Sequence, residues 1–175
     1  ARGDKQASVG MITGCVMQVM QSPLNEATAR VLCKAGCEVA APKTQQCCGA
    51  LHAHIGDLNQ AKNFAKANII AFEMWQKEHG KLDAIVINAA GCGAALKEYP
   101  GWFKGEGEWE TRARNFSEKV KDVSEFVAKP KVRARWERLM KSGKRKTGNG
   151  KRELAARDVI PNTQGASTLQ AVGDT

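Results

Sequence analysis

The sequence contains no long hydrophobic run. No stretch of about 18 apolar residues occurs in its 175 residues, so we expect no membrane-spanning helix. The opening segment, ARGDKQASVG, has neither the apolar core of a secretory signal nor the Arg- and Ser-rich pattern of a transit peptide, so we expect no targeting segment there. A chain of this length fits one domain with an appendage.

A dinucleotide-binding fingerprint is also missing. The segment GCGAAL lacks the glycine spacing of such a turn, and the other glycine clusters lie outside a strand-to-helix connection. The sequence offers no candidate hydride acceptor and no candidate catalytic base. We therefore expect that the chain alone catalyses no dehydrogenation, and we assign it no catalytic residue.

The basic charge is confined to the end of the chain. Residues 1–128 contain 15 Lys and Arg against 14 Asp and Glu, whereas residues 129–175 contain 12 against 4. The nearly neutral body gives no indication of a nucleic-acid partner. Lys144, Arg145 and Lys146 resemble a nucleic-acid or localisation patch, but a solvated tail is the preferred interpretation. Nucleic-acid binding by the tail stays open as a weaker hypothesis.

Alternating apolar and amphipathic segments predict an α/β fold. Residues 8–99 follow the order β-α-β-loop-α-β-α, which favours a parallel sheet of three or more strands with flanking helices and right-handed crossovers. The predicted strands are Val9–Thr13, Cys37–Ala41 and Ala84–Ile87. The predicted helices run from Ser22 to Gly36, from Asp57 to Gly80 and from Gly93 to Tyr99, where Pro100 is expected to end the last one.

The remaining segments complete the expected domain organisation. Residues 111–128 carry apolar residues at helical spacing and are predicted to form one more helix. The domain is thus expected to span residues 8–128, followed by a basic helix or linker at 129–141. Residues 142–175 are polar, Gly-rich and without periodicity, so we expect a disordered basic tail.

Four cysteines share one kind of position. Cys15, the adjacent pair Cys47 and Cys48, and Cys92 each follow a predicted strand. Because the carboxyl ends of parallel strands meet at one edge of a sheet, four thiols should come together there. Thiolates are soft ligands that select zinc, copper(I) or iron–sulfur clusters. The alternative is that these are buried structural thiols, which are common in protein cores.

Neighbouring residues add to this candidate site. An adjacent cysteine pair in a non-secreted chain favours ligands over disulfides, which indicates a reducing, cytoplasmic compartment. Cys33 and Cys37 are interpreted as structural thiols. His52 and His54 could bind or polarise a metal group, although loop packing or helix capping is favoured. Four glycines flank the cysteines and would let the backbone approach a bulky inorganic group closely: Gly14, Gly49, Gly91 and Gly93.

The segments GCVMQ, CCGALHAH and INAAGCG carry a family resemblance. They resemble the cysteine-rich (CCG) domain that recurs in heterodisulfide reductases, lactate-utilisation proteins and glycolate oxidase. The resemblance covers roughly residues 8–128 and is strongest to the first of two such repeats in the glycolate oxidase iron–sulfur subunit. It implies that Cys15, Cys47, Cys48 and Cys92 are the metal ligands. Ala89 stands where some members have a fifth cysteine, which leaves four ligands for one [4Fe–4S] cluster or one zinc.

The resemblance also implies a role in electron transfer. In that family a separate flavin-containing subunit oxidises a 2-hydroxy acid, and the iron–sulfur subunit passes electrons onward to a membrane acceptor. The expected partners are therefore that flavin subunit and the ferredoxin-like and second cysteine-rich regions, which this chain lacks. Peripheral association with the inner face of the membrane, through the complex, is expected. A structural zinc or docking domain without redox work remains the alternative.

Overall fold

The computed structural model describes residues 5–144, and its centre is a four-stranded, fully parallel sheet in the order β2-β1-β3-β4. The predicted α/β class is confirmed, and three of the strands lie within two residues of their expected bounds. The strands are β1 Ala7–Met11, β2 Cys37–Ala40, β3 Ala84–Ile87 and β4 Val120–Asp122.

Eight helices surround this sheet in the described part of the chain. Their bounds are α1 Cys15–Met20, α2 Ser22–Lys34, α3 Ala50–His54, α4 Leu58–His79, α5 Ala90–Trp102, α6 Glu108–Ser117, α7 Val123–Val127 and α8 Pro130–Lys144. None of the helices within residues 5–144 combines the length and hydrophobicity of a membrane span.

The sheet is buried on both faces. All four residues of β3 are buried, as expected for a central parallel strand. One core lies against α4, α5 and α6 and is centred on Phe72, Tyr99 and Phe116. The other lies against α2, α7 and α8 and includes Leu32 and Phe126. The sheet is thus the middle layer of a three-layer domain.

The single helix predicted over 111–128 is wrong. The chain instead forms α6, the edge strand β4 and the short helix α7. Val120 and Val123 are spaced as on a helix, but Val120 pairs with Ile85 in the sheet. Asp122 then starts a new helix, because its side chain and that of Glu125 form a capping box. Apolar spacing alone could not distinguish these elements.

Helix α5 is longer than predicted because it continues through Pro100. Proline removes the hydrogen bond that the carbonyl four residues earlier would accept. That carbonyl belongs to Leu96, and the Ser117 hydroxyl donates to it at 2.6 Å. A side chain of α6 therefore replaces the missing helical bond. The loop predicted between the second strand and the helix that begins at Asp57 likewise contains a short helix, α3.

The basic helix expected after the domain is present. Residues 130–144 form the helix α8, where a basic helix or linker was predicted at 129–141. Val132 and Trp136 pack this helix against the second core. The expected disordered tail beyond residue 144, including Arg145 and Lys146, lies outside the described residues.

Gly10 of β1 lies directly against Phe72 of α4. A Cβ built there would lie 2.6 Å from Phe72 Cε1 and 3.0 Å from Leu82 Cδ1. We expect Gly10→Ala to lower the free energy of unfolding by about 1–3 kcal/mol, because both neighbours belong to a close-packed core. Urea denaturation measures this change.

The matched control is Gly101→Ala. Gly101 lies in α5, and a Cβ added there would have no atom within 4 Å, so alanine should stabilise the helix by about 0.5–1 kcal/mol. Equal stability of the two variants would contradict close packing at Gly10.

Candidate metal centre

The topology creates a crevice between the carboxyl ends of β1 and β3. From β1 the chain crosses over to β2 on one side, whereas β3 and β4 lie on the other side. Such a reversal of strand order opens a crevice where ligands bind in open α/β sheets. Cys15 begins α1 just beyond β1, and Cys92 lies in the first turn of α5 just beyond β3. Two of the four cysteines therefore flank the crevice.

The loop between β2 and α3 brings the other two cysteines to the same place. Thr13 N–H donates to Gln45 Oε1 at 2.9 Å, and Gln45 Nε2 donates to the Met11 carbonyl at 3.3 Å. These bonds tie the loop to the end of β1. As a result, Cys47 lies beside Cys15, with their sulfurs 3.3 Å apart.

The four thiols form one interacting group. Cys15 Sγ lies 3.3 Å from Cys47 Sγ. Cys48 interacts with Cys47 and Cys92, and Cys92 also interacts with Cys15 and Cys47. Cys48 is buried, whereas Cys15 is exposed. The structure therefore brings together all four cysteines singled out in the sequence, although their role as ligands remains a prediction. All six cysteines are free thiols.

The thiols alter one another's acidity. The hydrogen bond that Cys48 donates to Cys92, followed by burial, raises the pKa of Cys48 far above its ordinary value. The same bond lowers the pKa of Cys92. Burial, and then the neighbouring Cys47, raises the pKa of Cys15. Cys92 is thus the sulfur on which negative charge is best accommodated.

Backbone N–H groups reach three of the sulfurs. Gly49 N–H donates to Cys47 Sγ at 3.4 Å. The N–H groups of Ala50 and Val16 act to lower the pKa of Cys48 and Cys15, against the net rise of each. Such donors stabilise thiolates and change the potential of any redox centre bound to them.

The described residues include no group of three or more His, Cys, Asp or Glu side chains converging on one metal ion. Four soft thiolate donors are nevertheless the ligand type that iron–sulfur clusters take. The zinc alternative gains no support from this arrangement.

The other residues singled out in the sequence have different surroundings. His52 packs against Phe64 with ring centroids 5.2 Å apart, which agrees with the loop-packing interpretation, and His54 is exposed. Cys37 begins β2 and is therefore at the opposite end of that strand from the cysteine pair. Burial raises the pKa of Cys37 to about 11, as expected for a structural thiol.

The flanking glycines play unequal structural roles. Gly49 has φ +83°, and a Cβ there would lie 3.0 Å from the Ala61 carbonyl oxygen. Gly93 brings α5 close to Ile87, whereas Gly91 has open space around it. Gly14 also has positive φ, at the start of α1. Whether these four backbones approach a bound group stays a prediction.

The chain segments that meet at the crevice are apolar and carry no charged residues. The segments 6–25, 44–56 and 84–96 contain no Asp, Glu, Lys or Arg, although these types make up 26% of the chain. Neither α1 nor α3 buries any of its residues. Exposed apolar side chains therefore lie on both sides of the thiols: Val16, Val19, Met20, Leu24, Leu51, Ile55 and Leu58. We call this surface the apolar rim.

Sequence reasoning missed two supporting residues, Asn68 and Tyr99. Both are fully buried, and their side chains contact the backbone of the cysteine pair. Asn68 lies on the buried face of α4 beside Ala65 and Phe72. A polar residue at a core position of an amphipathic helix was the available signal, since a buried amide needs hydrogen-bond partners.

Comparisons with known proteins agree with this arrangement. The family model described as "Cysteine-rich domain" (CCG) matches residues 9–97. The chain is 43% identical over 125 residues to the probable glycolate oxidase iron-sulfur subunit of Bacillus subtilis (strain 168), covering 71% of this chain and 27% of that protein.

More distant relatives share the same region. The chain is 31% identical over 120 residues to lactate utilization protein A of Anoxybacillus flavithermus, covering 69% of this chain and 48% of that protein. It is 30% identical over 119 residues to the protein of the same name from Geobacillus sp. (strain WCH70), covering 68% and 47%. The chain thus spans about a quarter to a half of these relatives' length. No solved structure matches it.

Gly49 provides a test of the loop that carries the cysteine pair. We expect Gly49→Ala to destabilise the fold by about 1–2 kcal/mol from the left-handed backbone alone. The contact with the Ala61 carbonyl should add to this loss. Thermal and chemical denaturation of the variant measure the effect.

Gly91→Ala is the control at the same edge of the sheet. Gly91 lies inside α5, and a Cβ added there would have no atom within 4 Å, so stability should be unchanged or slightly higher. A Gly49→Ala variant as stable as Gly91→Ala would show that the loop conformation is not the one described.

Proposed function

The chain belongs to the cysteine-rich (CCG) domain family, and we propose that it is an iron–sulfur electron-transfer module of a glycolate-type 2-hydroxy-acid dehydrogenase complex. The observation that carries this proposal is the group of four interacting thiols at the crevice where the strand order reverses. The relationship to the iron-sulfur subunit of Bacillus subtilis supports the type of cofactor.

The proposed ligands are Cys15, Cys47, Cys48 and Cys92, for one [4Fe–4S] cluster. When bound, such a cluster supplies one-electron redox chemistry. A structural zinc would need all four sulfurs about 2.3 Å from one ion. No such group occurs among the described residues, and the related iron-sulfur subunit supports a cluster. Cys15 begins a helix with no buried residue, so its position can adjust most readily.

The chain's own groups would tune the bound cluster. The Gly49 N–H donates to Cys47 Sγ, which favours added negative charge at the site, and the N–H groups of Ala50 and Val16 act in the same direction on Cys48 and Cys15. Cys48 is 3% exposed, so the protein covers one side of the site. Cys15 is exposed and lies on the side from which a redox partner would approach.

The apolar rim supports docking beside the site. Charged groups are depleted from the centres of stable interfaces, and permanent interfaces are more apolar than transient ones. We propose that the rim is covered by the flavin-containing subunit or by the further regions of a longer iron–sulfur subunit. Electrons would then pass from the flavin subunit, through this module, to a membrane acceptor. A cytoplasmic location belongs to the same proposal and is supported by the six free cysteines; association with the inner face of the membrane would come from the complex.

Cluster binding tests the ligand set directly. Anaerobically reconstituted protein should be brown, with a broad visible band that dithionite bleaches. Cys48→Ser should lose this band and bound iron, because a hydroxyl is a poor ligand for iron–sulfur clusters. Iron and sulfide analysis with visible spectroscopy measure both effects.

Cys33→Ala is the matched control, since Cys33 is half-buried near the amino end of β2. Its metal content should equal that of the unaltered chain. Equal iron loss from the two variants would mean that the ligand set is wrong, and a colourless protein with one zinc would overturn the cluster.

The proposed role also predicts how glycolate acts. Added glycolate should leave the cluster of the isolated chain oxidised, because oxidation of a 2-hydroxy acid needs a base and a two-electron acceptor. With the flavin subunit present, glycolate should bleach the cluster. Val19→Lys, which places a charge on the apolar rim, should slow this bleaching in stopped-flow measurements.

Lys77→Glu is the control, because Lys77 is exposed near the end of α4, away from the rim. It should bleach at the unaltered rate. Steady turnover of glycolate by the chain alone would contradict the electron-transfer role.

A further inference from the structure

We propose that Asn68 and Tyr99 are positioning residues that clamp the peptide groups of the cysteine pair and thereby orient the backbone donors toward sulfur. The inference about the bound cluster rests on the proposed function. The clamp itself is a property of the chain and can be tested without a cluster.

The clamp consists of two fully buried side chains and three consecutive residues of the loop. Asn68 Oδ1 accepts from Gln46 N–H at 2.7 Å, and Asn68 Nδ2 donates to the Cys47 carbonyl at 2.9 Å. Tyr99 Oη donates to the Cys48 carbonyl at 3.0 Å. Asn68 Nδ2 also donates to Tyr99 Oη at 3.2 Å, so the two side chains act as one unit.

These bonds provide hydrogen-bond partners for peptide groups of the loop. Residues 45–48 have no helical or strand structure, yet Cys48 is buried. Peptide groups buried without a partner are costly, so the loop depends on side chains for its pairing. Apolar side chains would fill the same volume in this core without satisfying Gln46 N–H or the two carbonyls. A purely packing role therefore does not account for the choice of Asn and Tyr.

Peptide planarity connects the clamp to the sulfurs. The Cys48 carbonyl and the Gly49 N–H belong to one trans peptide and therefore point in opposite directions. Tyr99 holds the carbonyl on the core side, so the N–H faces the crevice, where it donates to Cys47 Sγ at 3.4 Å. Loss of the Tyr99 hydroxyl would release this peptide and weaken the N–H···S bond. That bond stabilises added negative charge, so its loss should lower the reduction potential.

Tyr99→Phe carries the test, because the ring and its stacking on Phe116, at 5.7 Å between centroids, are retained. Asn68→Leu is less suitable, since it leaves several buried groups unpaired and can unfold the chain. The matched control is Ser117→Ala, which also removes one hydroxyl bonded to a carbonyl, that of Leu96, away from the loop. Both variants should lose some thermal stability.

The reconstituted full chain gives the first two measurements. Tyr99→Phe should release iron to a chelator about 10- to 100-fold faster than the unaltered chain, as found when supporting partners of metal ligands are removed. Its midpoint potential should become more negative. Ser117→Ala should change neither quantity. If the two variants behave alike, Tyr99 only packs and the positioning role is overturned.

The metal-free chain gives the third measurement. Under denaturant-free conditions, maleimide labelling read by peptide mass spectrometry should be faster at Cys47 and Cys48 in Tyr99→Phe, relative to Cys37 as internal reference. Ser117→Ala should leave this ratio unchanged. If the unaltered chain takes up no cluster, the proposed function fails while this labelling ratio still decides the clamp. An unchanged ratio in Tyr99→Phe overturns the clamp.

Discussion

The placement of β1 between β2 and β3 is the constraint on which the rest of the structure depends. β1 pairs in register with Cys37–Ala40 on one side and with Ala84–Val86 on the other. This pairing fixes the carboxyl ends of three strands at one edge and reverses the strand order there. The close contact of Gly10 with Phe72 then seats α4 on the sheet. The strand pairings of β1 and the contact of Gly10 with Phe72 together position the cysteines of the candidate site.

The thiol cluster could be predicted from the sequence because the order of strands alone determines where the cysteines lie. A cysteine after a buried strand must lie at the carboxyl edge, whatever the details of the loop. Asn68 and Tyr99 could not be identified in this way, since they lie 21 and 51 residues from the carbonyls that they bind. Their role depends on how α4 and α5 pack, which local pattern does not determine. The helix predicted over 111–128 failed for a related reason, because the pairing of Val120 with Ile85 overrides its helical spacing.

Pro100 illustrates how support for the site extends through the domain. The helix that carries both Cys92 and Tyr99 continues past the proline, and Ser117 donates to the Leu96 carbonyl that the proline leaves without its helical partner. Tyr99 lies directly before Pro100, and its ring packs against Phe116 and Trp102, with centroid separations of 5.7 and 4.9 Å. The aromatic core therefore fixes the Tyr99 ring, and the hydroxyl fixes the cysteine loop. Packing on one face of the sheet thus helps to position the cysteine loop at the edge of the sheet.

Polar and apolar groups are separated on the two sides of the cysteine pair. Peptide groups near the cysteine pair are satisfied from the core side by Asn68 and Tyr99, which leaves N–H groups for the sulfurs on the crevice side. Beyond the sulfurs, no residue of the apolar rim is charged, and α1 and α3 bury none of their residues. An exposed helix of this kind gains little from the domain that carries it, because few apolar contacts hold it down. Its burial in an assembly would remove apolar surface from water, which favours docking. The same docking would exclude water from the thiols and thereby stabilise the site.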